Sequence, residues 1–278
     1  MMAPRPIFPN PYQDLYIYYL SGRLQPVPAF NQDDYIGCWE EGDFSFLFFT
    51  RPSFEQVQNA IADQPGAELV DDYYMTYEQW QGSEIVPCRI GPFTVTPPWF
   101  ATDPAQTDST ILIDPGVVFG TGTHPTTRDC LEALALALSD GTMQSALDLG
   151  TGTGLLALAA ARLGCPKTLA IDLTFLATQT ARRNVRLNRL DHRILVAQGD
   201  AEKFMDFTSD LMISNIHYDV MRRLIQTTGF LKKKRFILSG LMRSEAAHVE
   251  SLLKGLPVRI IQRWNQDGIW TTFYGAIC

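Results

Sequence analysis

The amino-acid sequence predicts an α/β protein: a seven-stranded, doubly wound sheet preceded by a small α+β module. Three observations carry this expectation. From Ile111 onward, apolar runs of strand length alternate with helical stretches, the pattern of a parallel sheet with helices on both faces. Within that alternation, residues 148–154 read Asp-Leu-Gly-Thr-Gly-Thr-Gly between the apolar Ala146-Leu147 and an alanine- and leucine-rich stretch over 155–163, which is the order strand, tight turn, helix. The charge also divides: residues 1–105 hold four Lys and Arg against fourteen Asp and Glu, while 106–278 hold nineteen against sixteen, so an acidic front precedes a near-neutral body.

With 278 residues, 46% hydrophobic and 19% charged, the chain has material for one large or two small packed domains, which excludes a disordered or fibrous class. Its net charge of −7, concentrated at the front, argues against nucleic acid as a partner and suits a basic protein, toward which the field steers association. Charge that serves solubility alone is the other reading. Cys38, Cys88, Cys130, Cys165 and Cys278 are scattered, with neither a disulfide pattern nor metal-ligand spacing, so a reducing compartment and no metal site are expected. The proline-rich residues 1–13 lack an apolar stretch, and no run approaches the ~18 apolar residues of a membrane span. The cytoplasm is the expected location, without a membrane partner.

The elements follow in order. Residues 14–20 alternate as a strand and end at Ser21-Gly22, and 23–34 are broken by Pro26 and Pro28. Strands over 35–39 and 44–50 flank Glu41-Gly42-Asp43 as a hairpin. Ser53 opens a helix with Phe54, Val57, Ala60 and Ile61 on one face, closing near Pro65-Gly66, and 67–74 return as a strand. From Tyr77, Pro87, Pro92, Pro97, Pro98 and Pro104 interrupt every long element, with short extended pieces such as Ile85-Val86 and Phe93-Thr94-Val95 between them; Trp80 and Trp99 are read as packing residues. Residues 1–80 are thus expected as a small acidic α+β domain, 81–105 as a proline-rich linker and 106–278 as the α/β domain. In the last, Ile111-Leu112-Ile113 leads through a loop over 117–123 to a helix over 125–138. Strands are then expected over 145–149, 168–172, 194–198, 211–215, 236–239, 258–263 and 269–276.

The glycine turn suggests a nucleotide-like ligand, because glycines at 150, 152 and 154 remove Cβ atoms and the following helix start offers unpaired N–H groups. A dinucleotide turn runs Gly-x-Gly-x-x-Gly; here the third glycine comes one residue early, the form found in class I methyltransferases that bind S-adenosylmethionine. About 22 residues beyond Gly150, Asp172 ends the next strand, where a carboxylate can accept both ribose hydroxyls; capping of the helix from Phe175 is the alternative. Asp200, ending the third strand, can meet an adenine amino group or serve as a turn residue. Asn215 ends the fourth strand, positioned to contact cofactor and incoming nucleophile. His124, before Pro125 at a helix start, is read as a cap or packing residue rather than a base. The basic run 232–235 is read as a solvated helix end.

The segment 112–127, Leu-Ile-Asp-Pro-Gly-Val-Val-Phe-Gly-Thr-Gly-Thr-His-Pro-Thr-Thr, together with 148–154, Asp172 and Asn215-Ile216, resembles the PrmA-type methyltransferases. That family methylates amino groups, mainly lysines, of protein eleven of the large ribosomal subunit. The likeness runs from about Gln81 to Cys278. It implies the class I methyltransferase sheet, S-adenosylmethionine as cofactor and a basic protein substrate. By the same resemblance Thr127, Gly150, Asp172 and Asn215 fall on cofactor positions; Asp148, Gly152 and Gly154 of the glycine turn and Asp200 at the third strand's end complete the expected cofactor-binding set. Phe119 and Thr123 bound the loop over the cofactor's methionine end, and with Asn215 they are the expected catalytic residues. The front domain is expected to recruit substrate. The chain departs from the family at Thr151 and Thr153 (Cys and Ser there), at Thr174 in place of a second acid, and at His217-Tyr218 in place of Leu-Ala. Two other readings stay open: an amide or nucleobase methyltransferase in which Asn215-Ile-His-Tyr218 stands for Asn-Pro-Pro-Tyr, and a cofactor-binding protein that has lost catalysis.

Overall fold

A computed structural model describes residues 6–25, 30–31, 33–62, 64–101, 109–139, 141 and 143–278. They form two compact units, Met1–Val86 and Pro87–Cys278.

In the first unit, β1 (Asp14–Ser21), β2 (Tyr35–Glu41), β3 (Phe44–Phe49) and β4 (Glu68–Thr76) form an antiparallel sheet in the order β2-β3-β1-β4. The hairpin expected around Gly42 is present, with Glu41 opposite Phe44 and Gly42 at φ 59°. Tyr18, Leu20, Leu47 and Phe49 pack with Val57 of helix α1 (Phe54–Ala62) into one core. Tyr18 Oη accepts the Ser53 N–H at 2.7 Å where that helix begins. A short helix α2 (Tyr77–Gln81) follows, closed by a Thr76–Gln79 capping box, and Trp80 packs on Phe48.

The second unit opens differently from expectation. Part of the stretch expected as a linker is sheet: β5 (Cys88–Ile90) and β6 (Phe93–Thr96) join β7 (Thr110–Leu112) in a three-stranded sheet. The prolines lie between the strands rather than inside them, so no ladder bond is lost. Gly91 takes the left-handed conformation of the tight turn at φ 54°, and Trp99 is buried in a 3-10 turn over Pro98–Phe100.

The main sheet follows the predicted alternation: α3 (Pro125–Leu138), β8 (Ser145–Leu149), α4 (Leu155–Arg162), β9 (Lys167–Asp172), α5 (Phe175–Leu187), β10 (Ile194–Gln198), β11 (Leu211–Asn215), α6 (Tyr218–Ile225), β12 (Arg235–Met242), α7 (Arg243–Lys254), β13 (Val258–Gln266) and β14 (Trp270–Ile277). Strand order is β10-β9-β8-β11-β12-β14-β13, parallel except that β14 pairs antiparallel with both β12 and β13. Each face carries its own core. Leu131, Leu134, Leu158 and Val185 of α3, α4 and α5 cover one side; Met221, Leu224, Val249 and Leu253 of α6 and α7 cover the other. The order reverses between β8 and β11, so the crevice for a ligand opens beyond their carboxyl ends.

Candidate functional site

The glycine turn leaves β8 at that crevice, with Gly150, Gly152 and Gly154 at φ 75°, 55° and 85°. The structure changes the reason for the glycines. A Cβ on Gly150 would stand 2.9 Å from Ile216 Cδ1, one on Gly152 2.6 Å from the Phe119 carbonyl oxygen, and one on Gly154 3.3 Å from Ala181 Cα. The close approach comes from the chain's own segments, which the turn gathers into one site. Asp148 lies fully buried beneath the turn; its Oδ2 accepts the Thr151 hydroxyl at 2.6 Å, and burial pushes its carboxyl up to about 7.

Asp172 ends β9 beside the turn. Its Oδ2 accepts the Gly152 N–H at 3.0 Å and its Oδ1 the Thr174 N–H at 3.0 Å. The cap of α5 is Thr174, whose hydroxyl accepts the Ala177 N–H, so Asp172 is not spent on that helix. Oδ1 also accepts the Thr174 hydroxyl at 3.2 Å, so it is Oδ2 that retains acceptor capacity toward a ribose hydroxyl. Asp200 does serve its turn, accepting the Glu202 N–H at 3.0 Å as cap of a 3-10 turn over Ala201–Phe204.

The loop over 117–123 is clamped to the glycine turn by Thr153. Its N–H donates to the Phe119 carbonyl at 3.1 Å and its hydroxyl to the Gly120 carbonyl at 2.6 Å. Phe119 stays 55% exposed with its ring edge on His124, and His124 in turn packs against Trp270. His124 caps α3, its Nδ1 accepting the Thr126 N–H, and burial holds its imidazole below the usual range. It caps and packs, as the sequence suggested. Thr123 is exposed and shares a hydroxyl bond with Thr121. Thr127 is buried on the first turn of α3, and among the described residues neither its Oγ1 nor Asp148 Oδ1 has a hydrogen-bond partner. Two orphaned polar atoms on the α3 side of the sheet fit the polar groups of a bound cofactor.

Asn215 reaches the crevice from β11, and its Nδ2 donates to Thr126 Oγ1 at 3.3 Å. Gly240, at φ 85° in an irregularity of β12, makes room for it: a Cβ there would stand 2.9 Å from Asn215 Oδ1. His217 caps α6 and the Tyr218 hydroxyl bonds His248 Nδ1 on α7, so both side chains have local structural employment. The basic run closes a 3-10 turn over Phe230–Lys232, a helix end as expected, though Lys233 is buried rather than solvated. It enters β12, with Lys232 and Lys234 paired to Asp206 and Asp210 and Lys233 buried on the Phe207 carbonyl.

Sequence reasoning missed Thr126 and a pair of asparagines, Asn184 on α5 and Asn188 at its C-cap. Asn184 is fully buried; its Oδ1 accepts the Asp114 N–H and its Nδ2 donates to the Asp114 and Thr153 carbonyls, all at 2.9–3.0 Å. Asn188 brackets Leu112 in the same way, accepting its N–H at 2.9 Å and donating to its carbonyl at 2.7 Å. The two amides replace a neighbouring strand for the segment that carries the loop. Their signal was two amides four apart, one turn of helix from each other.

Among the described residues no helix is long and apolar enough to cross a membrane, and no group of three or more His, Cys, Asp or Glu could hold a metal ion.

The family described as Ribosomal protein L11 methyltransferase (PrmA) matches residues 58–276. Ribosomal protein L11 methyltransferase of Geobacillus thermodenitrificans is 39% identical over 242 residues, 81% of this chain and 76% of that protein. That of Listeria monocytogenes is 34% identical over 220 residues, 78% of this chain but 66% of the relative, so the chain spans just under two thirds of that protein's length. The crystal structure of ribosomal protein L11 methylase from Lactobacillus delbrueckii subsp. bulgaricus superposes with a TM-score of 0.57 at 25% identity, covering 70% of this chain and 99% of that one. The family match over residues 58–276 and the 39% identity over 81% of the chain show that the chain belongs to the ribosomal protein L11 methyltransferase family.

Proposed function

We propose that this chain is an S-adenosylmethionine-dependent N-methyltransferase acting on amino groups, lysines among them, of a ribosomal protein, with L11 the acceptor its relatives' names point to. The observation that carries the reading is at the carboxyl ends of β8 and β11: the loop that Thr153 clamps to the glycine turn leads into α3, whose Thr126 is bonded by Asn215. When bound, S-adenosylmethionine supplies an electrophilic methyl group. The residues for holding it are Asp172 for the ribose, Asp200 for the adenine edge, and Thr127, Asp148 and the glycine turn for the methionine end.

Methyl transfer to an amine is an in-line displacement, which needs a neutral nitrogen held in attack geometry and shielded from water. Asn215 Oδ1 is placed to accept an amine N–H and so aim the nitrogen lone pair into the crevice. Phe119 and the loop to Thr123 form the wall that excludes water. Desolvation there disfavours the ammonium form and helps the amine shed its proton. The first unit is the substrate-recruiting module, its acidic charge complementary to a basic protein. The cytoplasm, where ribosomal proteins are made, is the proposed location.

The test is transfer of labelled methyl from S-adenosylmethionine into purified L11 and into a cell lysate, the products treated separately with protease and nuclease. Protease-sensitive label in L11, recovered as methyl-lysine, supports the reading. Nuclease-sensitive label points instead to the nucleobase reading, and no transfer to a protein that has lost catalysis.

A further inference from the structure

We infer that Thr126 is a positioning residue for methyl transfer, holding the Asn215 amide in one orientation with neutral His124 as the fixed end of a hydrogen-bond chain. The inference rests on the proposed role of Asn215 and goes beyond it, because it concerns what decides which end of that amide meets the acceptor.

Proton counting sets the polarity. Thr126 N–H donates to His124 Nδ1 at 3.3 Å, so Nδ1 carries a lone pair and the ring proton sits on Nε2. Thr126 Oγ1 lies 2.7 Å from the same Nδ1, and with the ring proton on Nε2 its O–H shares that lone pair as a donor. A hydroxyl has one proton. Toward Asn215, 3.3 Å away, Oγ1 can therefore only accept, and the group facing it has to be the NH2 of the amide. That leaves Asn215 Oδ1 as the acceptor for an incoming amine. The reverse orientation would set two acceptors against each other at Thr126 and present N–H donors to a nitrogen whose lone pair must stay free for the methyl group.

The surroundings favour a fixed device. Thr126 is buried, and its backbone carbonyl accepts Ser239 Oγ at 3.3 Å, so the turn is anchored independently of its hydroxyl. With its own proton on that carbonyl, Ser239 Oγ accepts the Thr272 hydroxyl at 2.6 Å. His124 packs against Phe119 and Trp270, neither of them charged.

The test compares Thr126→Val, which keeps the shape and removes the hydroxyl, with Thr126→Ser, which keeps the hydroxyl, in methyl transfer to L11 by the full chain. Thr126→Val should lower kcat about 10- to 100-fold, with the S-adenosylmethionine Kd, read by calorimetry, within about twofold of wild type. Thr126→Ser should restore most of kcat. Nitrogen-15 NMR of the wild-type protein at neutral pH should find His124 in the Nε2–H tautomer, a readout that stands even where Thr126→Val does not fold. Wild-type kcat in Thr126→Val, an equal loss in Thr126→Ser, or an Nδ1–H tautomer overturns the inference. Asn215→Ala, run alongside, separates the two ideas. If it is inactive while Thr126→Val is unimpaired, only the positioning role fails; if it is active, the Asn215 reading fails and the positioning role with it.

Discussion

Replacing Asp148 by Asn should flatten the pH dependence of stability between acid and neutral pH. Asp148 is fully buried in β8, and burial raises its carboxyl from 3.8 to about 7 against the opposing bond from Thr151. A rise of about 3 units corresponds to roughly 4 kcal/mol of linkage. The folded chain holds this proton where the unfolded chain has released it. The stabilisation is thus fully present below about pH 4 and is lost as pH rises through 7, above which a buried anion remains. An Asn at the same place still accepts the Thr151 hydroxyl but cannot ionise. Denaturant unfolding of wild type and Asp148→Asn, both without cofactor, at intervals from pH 4.5 to 8 gives the difference, in which the remaining carboxylates cancel. Wild type should lose about 3 kcal/mol more than the variant across that window. Two curves that run parallel to within about 1 kcal/mol would refute the argument.

Asn215→Ala should leave the melting temperature near that of wild type and abolish turnover, since the side chain sits at the crevice rather than in a core; methyl incorporation beside a thermal melt checks both. Asn184→Ala removes three bonds to buried backbone and should cost about 3 kcal/mol, lowering Tm by roughly 10 °C in calorimetry. A loss below about 1 kcal/mol would mean that water replaces the amide. Thr153→Val breaks the hydroxyl bond to Gly120 and should speed amide hydrogen exchange over residues 118–122 and raise the KM for S-adenosylmethionine, with Tm changed little. Unchanged exchange there would show that the loop is held by something other than Thr153.

The centre of the main sheet was legible in the sequence because its strands are buried on both faces and largely apolar. Ser145–Leu149 and Leu211–Asn215 were located to the residue. Of the three-stranded sheet, the extended pieces at Phe93-Thr94-Val95 and Ile111-Leu112-Ile113 were legible but not β5 or the pairing, since each strand has three or four residues and the prolines between them look like linker. At the candidate site, Asp172 and Asn215 were found by their places at strand ends. Thr126 was hidden, because a threonine on a first helical turn looks like any other until Asn215, 89 residues away, is placed against it.

Local order and period were thus decided by the sequence alone: which runs are strands, where the glycine turn breaks the chain, where the helix after His124 begins, and which family the loop over 119–127 resembles. Only the tertiary structure decided which groups face one another. It set Thr153 under the Phe119 and Gly120 carbonyls, Asn184 against Asp114, and the His124–Thr126–Asn215 chain across the crevice. Sequence patterns record the burial of a face, which repeats every two or 3.6 residues. A hydrogen bond between distant segments has no period and appears only once the sheet order has brought their ends together.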